Sequence, residues 1–268
     1  MNQQQVIFIT GASSGIGQSC FDYLFGKGHR VYGTSRRPSG DNPFLLKMDV
    51  TKPKSIAAAV QTVIDKEGRI DVLINNAGIS VIGPAELTHP DDARQQLETN
   101  FWGVVNTNNA ILPHMRQQKS GKIIHISSVM GLFAIPNQAY YAASKHALEG
   151  YAEALRMELH PTNIQVALIQ PGDFMTEISQ NRILSIADDN TEYQLGYNRA
   201  LEVIVKGERN GDNPIKVAKL IHRIIQKPKL KLRYAIGKPL DLLAAKLKPI
   251  LPQRLFQWII MDHFRQNR

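Results

Sequence analysis

The chain has 268 residues, 43% of them hydrophobic and 21% charged, with a formal net charge of +9 and a single cysteine. That length suits one large α/β domain with a buried core, and a lone Cys20 excludes an intramolecular disulfide and with it a secreted disulfide scaffold. No apolar stretch approaches the roughly 18 residues of a spanning helix, and Met1 to Gln5 leave no room for a secretory signal before the first apolar run, so a cytoplasmic location is expected.

In chain order, β-rich runs at residues 6–10, 30–34, 44–48, 71–75, 122–127, 164–169 and 232–236 alternate with helical stretches at 55–66, 91–118, 139–160 and 214–226. Several of the runs are continuously apolar, as strands are when both sheet faces are covered. The pattern predicts an α/β fold, a doubly wound parallel sheet of seven strands with helices on both faces. The helix at 214–226 is the clearest, with Val217, Leu220, Ile221, Ile224 and Ile225 in one stripe behind Pro214. Residues 176–213 break the regularity and read as a substrate lid. With the preceding loop they supply Phe174, Met175, Ile178, Ile183, Leu184, Ile186, Leu195 and Tyr197 as an apolar substrate wall.

Residues 1–237 are read as a single domain and 238–268 as its basic, amphipathic helical extension, broken at Pro249 and Pro252. Residues 227–268 hold ten Lys/Arg and two Asp/Glu, +8 of the total +9. A solvated face explains that charge, and a contact with an anionic membrane surface is the alternative. The cluster Leu255, Phe256, Trp258, Ile259 and Ile260 either packs on the fold or a subunit or faces that membrane. No nucleic-acid motif accompanies the charge, so no nucleic-acid partner is expected. The histidines lack HExxH or similar spacing and there is no cysteine cluster, so no metal site is expected either.

Chemistry enters at Thr10-Gly11-Ala12-Ser13-Ser14-Gly15-Ile16-Gly17, a glycine loop between the first strand and the first helix. Gly11 permits a sharp turn, Gly15 lets backbone approach phosphates, and Gly17 allows close packing of a helix whose N-terminus faces a pyrophosphate. The second strand ends Thr34-Ser35-Arg36-Arg37 without the carboxylate that binds a ribose 2′-OH. Arg36, with or without Arg37, can fork onto a 2′-phosphate, which predicts NADP(H) in preference to NAD(H); two solvated loop arginines are the plain alternative. Tyr141 and Lys145 stand four residues apart, so on a helix the ammonium lies one turn from the phenol and is expected to lower its pKa. Neighbouring Tyr140 would meet only the uncharged Ser144. Cys20 reads as a small core residue. Asp173 reads as capping the next turn, with a polar contact to substrate as the alternative.

With Asn75-Asn76-Ala77-Gly78, Asn100, Ser128, Tyr141-x-x-x-Lys145 and Pro171-Gly172-x-x-x-Thr176 added to the glycine loop, the chain resembles a short-chain dehydrogenase/reductase. Its tail makes it similar to steroid and retinol dehydrogenases in particular. The resemblance implies a Rossmann-type fold and an enzyme that moves a hydride between NADP(H) and an alcohol or carbonyl, with an apolar steroid-, retinoid- or lipid-like substrate. A cofactor-binding regulator without turnover is the rival reading. The resemblance further implies catalysis by Asn100, Ser128, Tyr141 and Lys145, with Ser128 and Tyr141 holding the substrate oxygen and Asn100 supporting a relay water at a helix distortion. Ser128 is preferred to Ser127 because its offset of thirteen residues from Tyr141 fits the family. Cofactor contacts are implied for Gly11, Ser13, Ser14, Gly15, Ile16, Gly17, Arg36, Asp49, Val50, Asn76, Ala77, Gly78, Tyr141, Lys145, Pro171, Gly172 and Thr176. Pairing through the helices at 91–118 and 139–160 implies a homodimer.

Overall fold

Strand β1 (Val6–Ile9) is buried along its whole length. Its side chains alternate in destination: Val6 and Phe8 enter one core, Ile7 and Ile9 the other. That two-sided burial is why the run is continuously apolar, and each fully buried side chain of this size contributes about 1.5–3 kcal/mol. The computed structural model describes residues 4–38, 40, 42–176, 182–185 and 191–267. In chain order β1 is followed by α1 (Gly15–Gly26), β2 (Arg30–Ser35), β3 (Leu45–Lys47), α2 (Pro53–Glu67), β4 (Val72–Asn75) and β5 (Val81–Ile82). Then come α3 (Pro90–Leu97), α4 (Gly103–Gln117), β6 (Gly121–Ile126), α5 (Ala139–Glu158), β7 (Ile164–Pro171) and β8 (Ile183–Leu184). The described chain closes with α6 (Thr191–Arg209), α7 (Ile215–Ile225), β9 (Arg233–Ile236), α8 (Pro239–Leu247) and α9 (Gln253–His263).

The main sheet has the order β3-β2-β1-β4-β6-β7-β9, and every neighbouring pair is parallel. The seven predicted strands are these seven, in the predicted doubly wound order. Helices α2, α4 and α5 cover one face through Ile56, Val63, Ile111, Met115 and Leu148. Helices α1 and α7 cover the other through Cys20, Leu24, Val217, Ile221 and Ile224. Cys20 is fully buried, and burial pushes its thiol up to about 12, which suits packing and not nucleophilic chemistry. The strand order reverses between β1 and β4, the place where such sheets leave a crevice at the carboxyl ends of their strands.

Three features depart from the predicted pattern. The helix predicted over 91–118 is interrupted by a π turn, Glu98–Trp102, between α3 and α4. A second, two-stranded sheet pairs β5 with β8, and two-residue strands are too short to leave a periodic signal. The lid predicted over 176–213 is largely helical, since α6 occupies 19 residues of it. Tyr197, Ala200 and Ile204 recur at helical spacing along α6 and pack with Ile82 and Phe264. Of the predicted apolar wall, Phe174 and Tyr197 are buried, but Met175, Leu184 and Leu195 are 48%, 54% and 60% exposed. Ile178 and Ile186 lie outside the described residues. The tail cluster is divided: Phe256 packs against Phe133 with ring centroids 5.7 Å apart, while Trp258 is 58% exposed.

Candidate active site

The glycine loop is shaped by close approach. Gly11 and Gly15 have φ of +66° and +55°, a backbone region that side chains oppose. A Cβ at Gly17 would lie 2.1 Å from the Gly11 carbonyl oxygen and 2.4 Å from Asn76 Nδ2. Asn76 ties the loop to the end of β4: its Nδ2 donates to the Thr10 and Gly11 carbonyls at 3.0 and 2.8 Å. The Asn76 and Ala77 N–H groups donate to Thr10 Oγ1 at 2.9 and 3.0 Å. Helix α1 opens behind Ser14, which makes no side-chain cap bond, and Ser13, Ser14, Gly15 and Ile16 line a cavity of about 1170 Å³. First-turn N–H groups at a glycine cradle fit the pyrophosphate of a dinucleotide.

At the end of β2, Ser35 Oγ donates to Ser13 Oγ at 3.1 Å and accepts from Arg37 N at 3.2 Å. Arg36 and Arg37 are both exposed on the cavity rim and form no ion pair among the described residues. Asp49 Oδ1 accepts from Thr51 N and Thr51 Oγ1 at 2.9 and 2.8 Å, so its carboxylate is used in its own turn. Val50 is buried against Gly103, where a Cβ would come within 2.8 Å of Val50 Cγ2. Both residues, with Ala77 and Gly78, line the same cavity.

Asn100 sits on the π turn, buried, and a widened turn is a common device at functional sites. Its Oδ1 accepts from Ile79 N at 2.8 Å, and its Nδ2 donates to Ile79 O at 3.0 Å and to Ser144 Oγ at 3.3 Å. Ser144 Oγ in turn donates to the Tyr141 carbonyl at 2.7 Å. Thus the Asn100 side chain is spent on joining the loop after β4 to the turn of α5 that carries Tyr141.

Ser128 follows β6, where its Oγ accepts from Met130 N at 3.1 Å and donates to the Pro171 carbonyl at 3.4 Å. Lys145 lies one turn beyond Tyr141 on α5, as the spacing requires, with its Nζ 5.7 Å from the tyrosine ring centroid. The electrostatics differ from the expectation. Burial pushes the Tyr141 phenol up to about 12, a hydrogen bond with Ser128 opposes this, and Glu208 and Asp173 raise it further. The buried ammonium of Lys145 donates to the Ile126 carbonyl at 2.8 Å, and burial brings its own pKa down to about 8 against the pull of Glu149. Tyr141 is therefore a phenol that stays protonated at neutral pH.

Pro171, Gly172 and Thr176 line the cavity at the end of β7. Asp173 does not cap a turn: its carboxylate has no hydrogen-bond partner among the described residues and lies in the cavity wall. The apolar end of the cavity comes from residues that the sequence reading did not select, namely Met130, Ile135, Val203, Ile204 and Phe264. The 3–4 spacing of Tyr197, Ala200, Leu201 and Ile204 carried the signal for α6, but the Gly, Asn and Asp residues of 176–213 made the segment read as a long connection.

The sequence pattern of the short chain dehydrogenases matches residues 5–185. A 3-ketodihydrosphingosine reductase of Bacteroides thetaiotaomicron is 44% identical over 96% of this chain and 97% of its own. The dehydrogenase/reductase SDR family member 7B of Bos taurus is 31% identical over 98% of this chain and 82% of its own. Among solved structures, a short-chain dehydrogenase from Streptomyces avermitilis superposes with a TM-score of 0.79 at 29% identity, over 93% of this chain and 96% of that one. The glycine cradle suited to a nicotinamide dinucleotide, the serine, tyrosine and lysine around one cavity, and these likenesses lead to one conclusion: the chain is an oxidoreductase and belongs to the short-chain dehydrogenase/reductase family.

Proposed function

We propose that this protein is an NADP(H)-dependent reductase of long-chain ketones, with 2-amino-3-ketones of the sphingoid type as its substrate class. The observation that carries this reading is the continuity of one cavity. It runs from Gly11 and Arg36 past Ser128 and Tyr141 to the apolar Val203, Ile204 and Phe264. A polar dinucleotide suits the first end, and an alkyl chain suits the second. Identity of 44% to a 3-ketodihydrosphingosine reductase supports the choice of ketone.

When bound, the reduced nicotinamide supplies the hydride that goes to the carbonyl carbon. Tyr141 gives its phenolic proton to the carbonyl oxygen, and Ser128 Oγ donates a hydrogen bond to the same oxygen as it gains charge. Lys145, by the family likeness, holds the nicotinamide ribose. The product is the secondary alcohol. Consumption of NADPH with long-chain 3-ketones and sugars, and reduction of NADP+ with polyols, tests the proposal. Turnover confined to sugars and polyols would reject the substrate class, and no turnover at all would favour a cofactor-binding regulator.

Cofactor choice rests on Arg36. A guanidinium on a phosphate makes charge-assisted hydrogen bonds worth about 1.5–3 kcal/mol. Arg36→Ala is therefore expected to weaken NADPH binding roughly tenfold to a hundredfold and NADH less than about threefold, read by cofactor fluorescence titration. Equal losses for the two cofactors would remove Arg36 as the selector.

A second reading, association with a membrane surface, is favoured by the outer face of the tail. Leu240, Ile250 and Trp258 are 63%, 75% and 58% exposed, with Lys246 and Arg254 exposed among them. The described helices include none long and apolar enough to cross a membrane, so the contact would be interfacial. The full chain is expected to float with anionic vesicles, and an Ile250→Ser, Trp258→Ser variant to float several-fold less. Equal flotation would make this face a solvent surface only.

A further inference from the structure

Asp173 lies in the wall of the cavity that holds the reacting groups. Its N–H donates to Asp241 Oδ2 at 3.2 Å, and its carbonyl accepts from Asp212 N at 2.9 Å. Its carboxylate lies over Gly207 of α6, where an added Cβ would come within 2.3 Å of Asp173 Oδ2. The backbone is thus fixed and the carboxylate lies beside α6, in the wall that also holds Ser128 and Tyr141.

The neighbouring carboxylates have partners. Glu208 is ion-paired with Arg182, and Asp241 accepts the Asp173 N–H. Asp173 itself forms no ion pair among the described residues. Residues 177–181 and 186–190 contain no Lys, Arg or His that could provide one. Burial first, then Asp241 and Glu208, push its carboxyl up to about 6, with Lys238 opposing them. A half-buried carboxylate that forms no ion pair of its own gains from a cationic ligand.

We propose that Asp173 receives the ammonium group of a 2-amino ketone, so that the site selects ketones with a cationic nitrogen on the carbon next to the carbonyl. This rests on the reductase reading above and deepens it. With the carbonyl oxygen on Ser128 and Tyr141, an ammonium one carbon away meets Asp173 through a charge-assisted hydrogen bond of roughly 2.8 Å. The ligand's charge also acts on the chemistry. Burial first, then Glu208 and Asp173, hold the Tyr141 phenol up, and an ammonium between these carboxylates and the phenol offsets their field, making Tyr141 a better proton donor when the matching substrate is in place.

The test compares a 2-amino-3-ketone with the ketone of equal chain length that carries hydrogen in place of the amine, using the full chain, Asp173→Asn and Asp173→Glu. The wild type is expected to favour the amino ketone about tenfold or more in kcat/KM. Asp173→Asn should bring the ratio to within about threefold of unity, and Asp173→Glu should restore part of it. Calorimetric titration with dodecylammonium against dodecanol reads binding without turnover, and the Asn variant should lose about tenfold for the amine. An Asn variant that keeps the wild-type ratio, or loses both ketones alike, overturns the inference. If neither ketone is reduced, the proposed function fails, and the titration still decides Asp173: equal dodecylammonium affinity in wild type and Asn variant overturns it.

Discussion

Tyr141→Phe is expected to lower kcat for carbonyl reduction about a thousandfold, the scale of losing a positioned general acid, or roughly 4 kcal/mol of transition-state stabilisation. The substitution keeps the ring and its place over Lys145, whose Nζ stands 5.7 Å from the ring centroid. It removes only the hydroxyl, whose hydrogen bond is with Ser128. Packing should survive, so NADPH affinity and thermal stability should change little. Because burial holds the phenol up to about 12, the wild type carries the required proton throughout the neutral range. A Phe variant retaining a tenth or more of wild-type kcat would show that another group delivers the proton.

Gly17→Ala should damage the protein in a different way. The new methyl would stand 2.1 Å from the Gly11 carbonyl oxygen and 2.4 Å from Asn76 Nδ2. Neither is the free end of a flexible side chain: the first is backbone, and the second is tied to two carbonyls at 3.0 and 2.8 Å. Relief requires moving α1 away from the loop or breaking the Asn76 bonds. Overpacking of this kind costs about 1–3 kcal/mol, and the upper end applies here. In a domain of this size that lowers Tm by roughly 5–10 °C. NADPH affinity should fall by at least about tenfold, since the same displacement moves the N–H groups that face the phosphates. Unchanged Tm and NADPH affinity would show that the loop tolerates a Cβ here and that the close approach is not required.

Much of the fold was legible because its signals are local. Continuous apolar runs at 6–9 and 72–74 become strands whose alternate residues enter two different cores. The stripe from Val217 to Ile225 becomes a helix with those residues buried or packed on the sheet. Helix α6 was missed because the Gly, Asn and Asp of 176–213 read as loop residues, whereas in the fold side chains from distant elements lie against Gly196 and Gly207. A Cβ at Gly196 would come within 2.9 Å of Gln266 Oε1, and one at Gly207 within 2.3 Å of Asp173 Oδ2. Such contacts come from elements distant in sequence, and no local periodicity expresses them. The π turn at Asn100 has no local signal either, since its bonds run to Ile79 and to Ser144 on another helix, and the distortion there was expected only through the family resemblance.

By itself the sequence determined the order of strands and helices, the glycine loop, and the four-residue spacing that puts Lys145 one turn from Tyr141. These follow from backbone periodicity and from the φ demands of glycine, which act within a few residues. Tertiary structure decided the charge balance of the site and the shape of its far end. Lys145 donates to the Ile126 carbonyl, and the phenol is raised by burial, against its hydrogen bond with Ser128, and further by Glu208 and Asp173. Val203, Ile204 and Phe264 arrive from α6 and the tail to form an apolar end. Burial and electrostatic fields depend on what is near in space, and residues 128, 141, 173, 208 and 264 become neighbours only when the sheet is wound and its last helices have packed.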